Sequence, residues 1–283
     1  MIVHDILNEA TLCFAEAGIP SPRLDAEVLL AFCLDCDRLE FFKNPLRPVD
    51  EKVLALFQKL VTRRLKEEPV AYITSRKEFW SFVLEVNKSV LIPRPDTEVL
   101  VEEALGICKG ITIPEIKILD IGTGSGAIAL ALACELPRIR VTATDISAAA
   151  LAVAEKNARN LRLDSQIKFL QGNLFQPVGD FFDIIVSNPP YIADEEYDKL
   201  PGGVKNYEPR EALQAGLGGL DFYRKIVNEA PAHLKHDGWL LLETGAAQSV
   251  KVISIAEASG QFDDMSVRND YAGLPRVIKA RRK

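Results

Sequence analysis

From residue 116 onward, short apolar runs rich in β-branched residues alternate with stretches of helical periodicity, and few folds accept that pattern. Ile116-Lys117-Ile118-Leu119, Val141-Thr142-Ala143-Thr144, Phe182-Asp183-Ile184-Ile185-Val186 and Trp239-Leu240-Leu241-Leu242 each suit one strand. Helical segments between such runs imply a parallel sheet covered on both faces. The end of the chain differs. Met265-Ser266-Val267-Arg268 and Arg276-Val277-Ile278-Lys279-Ala280 are joined by a short connection through Ala272-Gly273-Leu274-Pro275, which suits an antiparallel pair at the sheet edge. The expected fold class is α/β, a doubly wound, mostly parallel sheet with an antiparallel edge strand.

The first quarter of the chain follows other rules. Ile2, Ile6, Ala10, Cys13 and Ala17 recur at helical spacing, and Gly18 supplies a stop. Ser21-Pro22 places a cap and a first-turn proline before Leu24, Val28, Leu29 and Phe32. Val53, Leu56, Phe57, Leu60 and Val61 mark one face of a later helix. A small helical bundle over residues 1–72 is predicted. Over residues 73–95, Trp80, Phe82, Leu84 and Val86 alternate with Ser81, Val83 and Glu85, and Asn87-Lys88 reads as the turn into Val90-Leu91-Ile92. This is expected to be a β-hairpin linker. Pro93 and Pro95 break the strand, and a helix from about Thr97 to Cys108 opens a third segment, residues 96–283.

Several function classes recede at this level. No run approaches the roughly 18 apolar residues of a membrane span, and the N-terminus lacks the basic and apolar regions of a signal peptide. A cytoplasmic protein with no membrane partner is expected. The 5 cysteines are scattered and odd in number, unlike a disulfide framework. Cys33 and Cys36 form a lone CxxC in an apolar stretch and are expected to be structural thiols. His233 and His236, with no third ligand, read as polar residues at a helix end, so no metal is expected. A net charge of −6 argues against a partner gripped mainly by its phosphates.

Asp120-Ile121-Gly122-Thr123-Gly124-Ser125-Gly126-Ala127 joins the first sheet strand to a helix. Its glycines allow a tight turn and close ligand approach, and the helix start offers amide donors. With Ala127 the run also fits the permissive dinucleotide fingerprint, so a nicotinamide enzyme stays in view. The second strand ends at Asp145, where a carboxylate can accept from both hydroxyls of a ribose. The third ends before Asn173-Leu174, a polar residue with an apolar neighbour that could hold an adenine ring. Gly122, Thr123, Gly124, Ser125, Gly126, Asp145, Asn173 and Leu174 together suit a bound nucleoside.

Asn188-Pro189-Pro190-Tyr191 follows the fourth strand directly. Its prolines fix an extended turn, so that the Asn188 oxygen and a backbone carbonyl, that of Pro189, can face one way. Two such acceptors can take both hydrogens of a planar NH2 group, and the Tyr191 ring can stack on it. An amide or aromatic amino nitrogen is a poor nucleophile because its lone pair is delocalised. Holding it in line with an electrophile, while stabilising the charge that grows on it, is the help it needs.

With these motifs in place the chain resembles the HemK/PrmC group, the peptide chain release factor glutamine N5-methyltransferases. The resemblance runs through Pro22-Arg23-Leu24-Asp25-Ala26-Glu27, Glu78-Phe79-Trp80 and Ile92-Pro93-Arg94-Pro95-Asp96-Thr97-Glu98. It continues through the glycine turn, NPPYI, Tyr207-Glu208-Pro209-Arg210, Phe222-Tyr223-Arg224 and the closing AGLPRV. It implies a Rossmann-like class I methyltransferase with a seven-stranded sheet, using S-adenosyl-L-methionine. It also implies methylation of the glutamine in the Gly-Gly-Gln tip of release factors, with no direct nucleic-acid substrate. Carried over by motif, residues 122 to 126, Asp145, Asn173, Leu174 and Asn188 would touch the cofactor. Asn188, Pro189, Pro190 and Tyr191 would hold the glutamine, and the helical half would dock the protein substrate. Asn173 stands where the family usually has an aspartate. The alternative is an adenine N6-methyltransferase acting on DNA or RNA, which shares NPPY but calls for a basic groove. A non-catalytic module keeping the fold would have no need of NPPY.

Overall fold

Seven strands of the computed structural model, which describes Met1–Lys283, make one sheet, and a two-stranded hairpin precedes it. The hairpin is β1 (Arg76–Phe79) with β2 (Phe82–Glu85). The sheet contains β3 (Ile116–Ile121), β4 (Ile139–Asp145), β5 (Ile167–Gln171), β6 (Phe182–Ser187), β7 (Leu234–Glu243), β8 (Phe262–Asn269) and β9 (Pro275–Arg282). Its order is β5-β4-β3-β6-β7-β9-β8. The pairs among β3 to β7 are parallel, whereas β9 runs antiparallel to both β7 and β8. The reversed strand therefore inserts between β7 and the edge strand β8, because a short connection can only fold back beside its own neighbour.

The chain divides into two compact units. Met1–Arg76 and the short return segment Pro201–Tyr207 form the helical unit. It holds α1 (Val3–Glu16), α2 (Pro22–Leu34), α3 (Leu39–Lys43), α4 (Glu51–Leu65) and α5 (Val70–Thr74). Its core gathers Phe14, Leu29, Leu30, Phe41, Phe57 and Leu60. The buried face of α1 is Val3, Ile6, Leu7, Ala10 and Phe14 rather than one reaching Cys13 and Ala17, because the helix turns its bulkiest side chain, Phe14, inward. Leu24, Phe32 and Leu56 also stay exposed although their spacing suggested burial; each lies at the margin of its apolar stripe. Ser21 sits at the cap of α2 without a side-chain cap bond, so Pro22 alone provides the start signal. Asp50 does cap α4, accepting from the Lys52 amide at 2.8 Å.

Lys77–Leu200 and Glu208–Lys283 form the α/β unit. On one face of the sheet, α6 (Glu98–Gly110) and α7 (Ala127–Glu135) pack with Phe79 and Leu84 of the hairpin. Helices Asp221–Glu229 and Ser249–Ser259 cover part of the other, where Tyr223, Ile226 and Val252 are buried. α8 (Ala148–Leu161) follows β4. The central strands are buried along nearly their whole length, which accounts for their unbroken apolar runs.

The hairpin turns earlier than the alternation implied. Its turn is Trp80-Ser81, where Trp80 takes φ +57° and gives its amide to Glu98 at 2.8 Å. Asn87 makes a second turn, accepting from the Val90 amide, but Val90–Ile92 does not pair as a strand. The Ile92 amide goes instead to the Glu208 carboxylate at 3.1 Å. Of the two histidines, His233 stands at the expected helix end, as the C-cap of the short helix Ala230–Ala232, and His236 does not. His233 stacks on Phe175, while His236 lies within β7 and is paired with Asp237.

Candidate active site

Parallel strands leave their carboxyl ends along one edge of the sheet, and the reversal of strand order falls between β4-β3 and β6-β7. A crevice for a ligand lies outside such a reversal. Ile121 of β3 pairs with Ser187 of β6, so the glycine turn and Asn188 leave adjacent strand ends on its two sides. Ser187 Oγ donates to the Ile121 carbonyl at 2.7 Å and ties those ends together.

The glycine turn is held from below. The Gly122 and Thr123 amides both donate to the Thr144 carbonyl, at 2.8 and 2.9 Å. Gly126 has φ +84° at the start of α7, and a Cβ there would meet Leu130 and Ala154 at 3.1–3.2 Å, so the helix approaches its neighbours closely only with glycine. Asp145 Oδ2 accepts from the Gly124 amide at 2.9 Å, and Oδ1 accepts from the Ser147 amide at 2.9 Å. Thus the carboxylate meets the turn directly and still has lone pairs for a ligand. Asn173 and Leu174 leave the next strand end, Asn173 exposed and Leu174 with φ +50°. A Cβ added at Gly122 or Gly124 would meet nothing within 4 Å, so the turn borders open space. Bare backbone, a carboxylate at the next strand end and an apolar neighbour fit a nucleoside cofactor such as S-adenosyl-L-methionine.

Two buried side chains stiffen this turn. Asp120 is fully buried, accepts from Thr123 Oγ at 2.7 Å, and is pushed up to about 7 chiefly by its burial. Asn157 of α8 donates to the carbonyls of Ser125 and Glu85 at 2.9 and 3.0 Å and accepts from the Glu85 amide at 2.8 Å. The hairpin strand and the glycine turn are therefore joined through one amide.

On the other side of the reversal, Asn188 is half-buried and Pro189 buried. Asn188 Nδ2 donates to Thr97 Oγ at 3.3 Å. Thr97 is 4% exposed, and the Glu243 carboxyl, also buried, stands at the end of β7. Burial pushes Glu243 up to about 7, and its Oε2 has no partner. The Tyr191 carbonyl accepts from Gln248 Nε2 at 2.9 Å, and burial raises the Tyr191 phenol above its ordinary value.

Motifs far apart in the chain anchor this corner. Glu208 of YEPR accepts from the Ile92 amide and pairs with Arg94 at 2.5 Å. Arg276 of AGLPRV pairs with Asp96 at 3.2 Å and Asp270 at 2.9 Å. Tyr223 of the FYR segment donates to the Glu243 carbonyl at 3.0 Å. Reading the sequence left Thr97, Glu208, Arg276, Asn157 and Glu243 without individual roles. The first three stood inside quoted motifs. Glu243 carried a weaker signal, an acid closing an apolar run, and Asn157 carried none.

Comparison with known proteins gives the family. Residues 5–74 match the PrmC N-terminal domain, and residues 103–200 match the methyltransferase small domain. The release factor glutamine methyltransferase of Geobacter sulfurreducens is 43% identical over 280 residues, 99% of this chain and 96% of its own. That of Coxiella burnetii is 44% identical over 268 residues, 93% of this chain and 92% of its own. The chain belongs to the release factor glutamine methyltransferase family. The solved hMettl16 catalytic domain in complex with the MAT2A 3'UTR hairpin 6 is similar with a TM-score of 0.56. The likeness covers 70% of this chain and 74% of that one at 19% identity, which speaks to fold alone. No helix is long and apolar enough to cross a membrane.

Proposed function

We infer that this chain methylates the side-chain amide nitrogen, N5, of the glutamine in the Gly-Gly-Gln motif of a peptide chain release factor, with Asn188-Pro189-Pro190-Tyr191 as the clamp. Full-length identity to enzymes of that name supports the reaction. The observation that carries the site is Asn188 leaving the strand end beside the glycine turn, with its Nδ2 already engaged by Thr97. S-adenosyl-L-methionine, when bound, supplies a methyl group made electrophilic by a positively charged sulfur.

Gly122, Thr123, Gly124, Ser125 and Gly126 bind that cofactor through bare backbone, Asp145 takes its ribose hydroxyls, and Asn173 with Leu174 borders its base. Asn188 Oδ1 and the Pro189 carbonyl accept the two amide hydrogens of the substrate. Tyr191 lies against the planar amide, and Pro190 keeps the turn extended. The acceptors lower the barrier because the nitrogen's hydrogens grow more acidic as positive charge develops on it. No base is needed beforehand. The helical unit docks the release factor, and a release factor rather than nucleic acid is the substrate.

The test is methyl incorporation, by mass spectrometry, into release factors carrying glutamine or glutamate at the target position, with adenine-containing DNA and RNA alongside. Only the glutamine form should be labelled. A site built for NH2 rejects an analogue lacking it by roughly four to five orders of magnitude. Comparable labelling of the glutamate form, or of nucleic acid alone, would overturn the assignment.

A further inference from the structure

The two prolines of the NPPY turn restrict only part of it. They fix φ at 189 and 190, and each also restricts the residue before it, so Asn188 and Pro189 are held by covalent geometry. Tyr191 is the first residue past that constraint. What keeps its ring beside a substrate amide must come from elsewhere in the fold.

We propose that Gln248 is a positioning residue for the methyl transfer: its side-chain NH2 holds the Tyr191 carbonyl and so keeps the Tyr191 ring in place against the substrate amide. This rests on the reading of Asn188-Pro189-Pro190-Tyr191 as the clamp. Gln248 Nε2 stands 2.9 Å from the Tyr191 carbonyl oxygen, 3.3 Å from that of Gly219 and 3.4 Å from that of Gly218. The Ile192 amide donates to the Leu213 carbonyl at 2.8 Å. The peptide unit joining Tyr191 to Ile192 is therefore bonded at both its oxygen and its hydrogen, and it cannot turn without breaking both.

The way the Gln248 amide faces is settled by its partners. Carbonyl oxygens only accept, so only the NH2 can face three of them, and a half-turn of the amide would bring Oε1 against all three. The same orientation leaves Oε1 buried without a partner, an unfavourable arrangement that few buried polar atoms show. A fixed turn delivers the side chain. Gln248 caps the helix Ser249–Ser259; its amide donates to the Gly245 carbonyl at 2.8 Å and its carbonyl accepts from the Val252 amide at 3.0 Å. Gly245 makes the room, since a Cβ there would stand 2.8 Å from Gln248 Oε1 and 3.5 Å from Tyr191 Cδ2. Ser187 of β6 pairs with Leu242 of β7, so the NPPY turn and the turn bearing Gln248 leave neighbouring strand ends.

The experiment compares Gln248→Met, Gln248→Glu and Asn188→Ala in the full chain, reading kcat with whole release factor and cofactor affinity by calorimetry. Methionine matches the length of glutamine and removes the donor, so kcat should fall about tenfold, the worth of one hydrogen bond, with cofactor affinity unchanged. Glutamate keeps the shape, but as a carboxylate it sets an oxygen against three carbonyls, and kcat at about pH 8.5 should fall about a hundredfold. Burial and those carbonyls favour the protonated acid, which has one O–H to donate, so this carboxyl titrates above the ordinary carboxylate range. As pH falls through that point, the ratio of Gln248→Glu to parent kcat should rise about tenfold, while the Gln248→Met ratio stays level. Glu243, Tyr191 and Arg276 near the clamp, and Asp221 against Gly216, are present in parent and variant alike, so the ratio at each pH removes their titration. A side chain that merely filled space would give a loss independent of pH in both variants. Parental kcat in Gln248→Met, or a Gln248→Glu ratio that does not change with pH, overturns the proposal. If Gln248→Met does not fold, the pH dependence of Gln248→Glu alone carries the decision. Asn188→Ala separates the two levels. Activity above half the parent's in that variant refutes the clamp itself, whereas its loss beside a parental Gln248→Met refutes only the role of Gln248.

Discussion

At the scale of single residues, Asp145 and Asn188 sit on opposite sides of the strand-order reversal and should fail differently. Asp145 meets the glycine turn through the Gly124 amide, and its assigned partner is the ribose, a group unchanged by the reaction. Its interactions are the same in ground and transition states, so their loss appears in KM rather than kcat. Asp145→Ala should raise the cofactor KM and lower affinity in calorimetry, with a smaller loss of kcat at saturation. Unchanged calorimetric affinity would mean the second strand end does not hold the cofactor. In the proposed clamp, Asn188 instead meets the nitrogen on which charge develops. Asn188→Ala should cost about 2.7–4 kcal/mol in the barrier, roughly a hundred- to thousandfold in kcat, and weaken cofactor binding much less. Rapid-quench measurement of single-turnover methyl transfer checks this.

Among the elements, the loop before helix Asp221–Glu229 sets the back of the NPPY turn. Gly219 has φ +69°, and a Cβ there would stand 2.2 Å from the Tyr191 carbonyl and 2.6 Å from Gln248 Nε2. Gln248 Nε2 is the donor that holds the Tyr191 carbonyl, so any side chain at 219 displaces the turn or the amide that anchors it. Gly219→Ala should therefore lower both stability and turnover, the stability by more than about 1 kcal/mol because the backbone angle is also unfavourable for alanine. Thermal unfolding together with kcat reads this. A variant with parental melting temperature and parental kcat would show that the loop has room to spare. The hairpin is coupled differently, through Asn157 to the Ser125 carbonyl, so β2 and the glycine turn share one buried amide.

For the whole molecule, the helical unit raises the question of how a large protein substrate is held. Leu39, Phe42 and Leu46 are 63%, 70% and 72% exposed within one short stretch of that unit. Scattered exposed apolar residues need no explanation, but three together suit a protein partner. Removing the whole unit is a poor test, because Pro201–Tyr207, which lies between the two parts of the α/β unit, packs with the helices. Tyr207 donates to the Lys66 carbonyl at 2.8 Å, a bond such a deletion would break. The cleaner measurement combines Leu39→Ser, Phe42→Ser and Leu46→Ser. The docking role proposed for this unit leads us to expect a KM for whole release factor about tenfold higher or more, since truncated apolar anchors typically cost over 1 kcal/mol. Cofactor affinity and kcat should hold. An unchanged KM would place docking elsewhere.

The sequence by itself determined the parallel sheet, the turned-back final strands, the helical start, and the glycine turn and NPPY at strand ends. Each is a local signal: an unbroken apolar run demands cover on both faces, and a proline pair or a run of glycines restricts backbone angles wherever it stands. Tertiary structure decided what depends on partners distant in the chain. The hairpin turns at Trp80 because Glu98 receives its amide, and Val90–Ile92 leaves the hairpin because Glu208 takes the Ile92 amide, 116 residues away. The exposed side chains of α2 and α4 lie on stripes whose margins only packing defines. The same holds for the bond from Asn188 Nδ2 to Thr97 Oγ, 91 residues apart in the chain: no periodicity records which donor faces which acceptor.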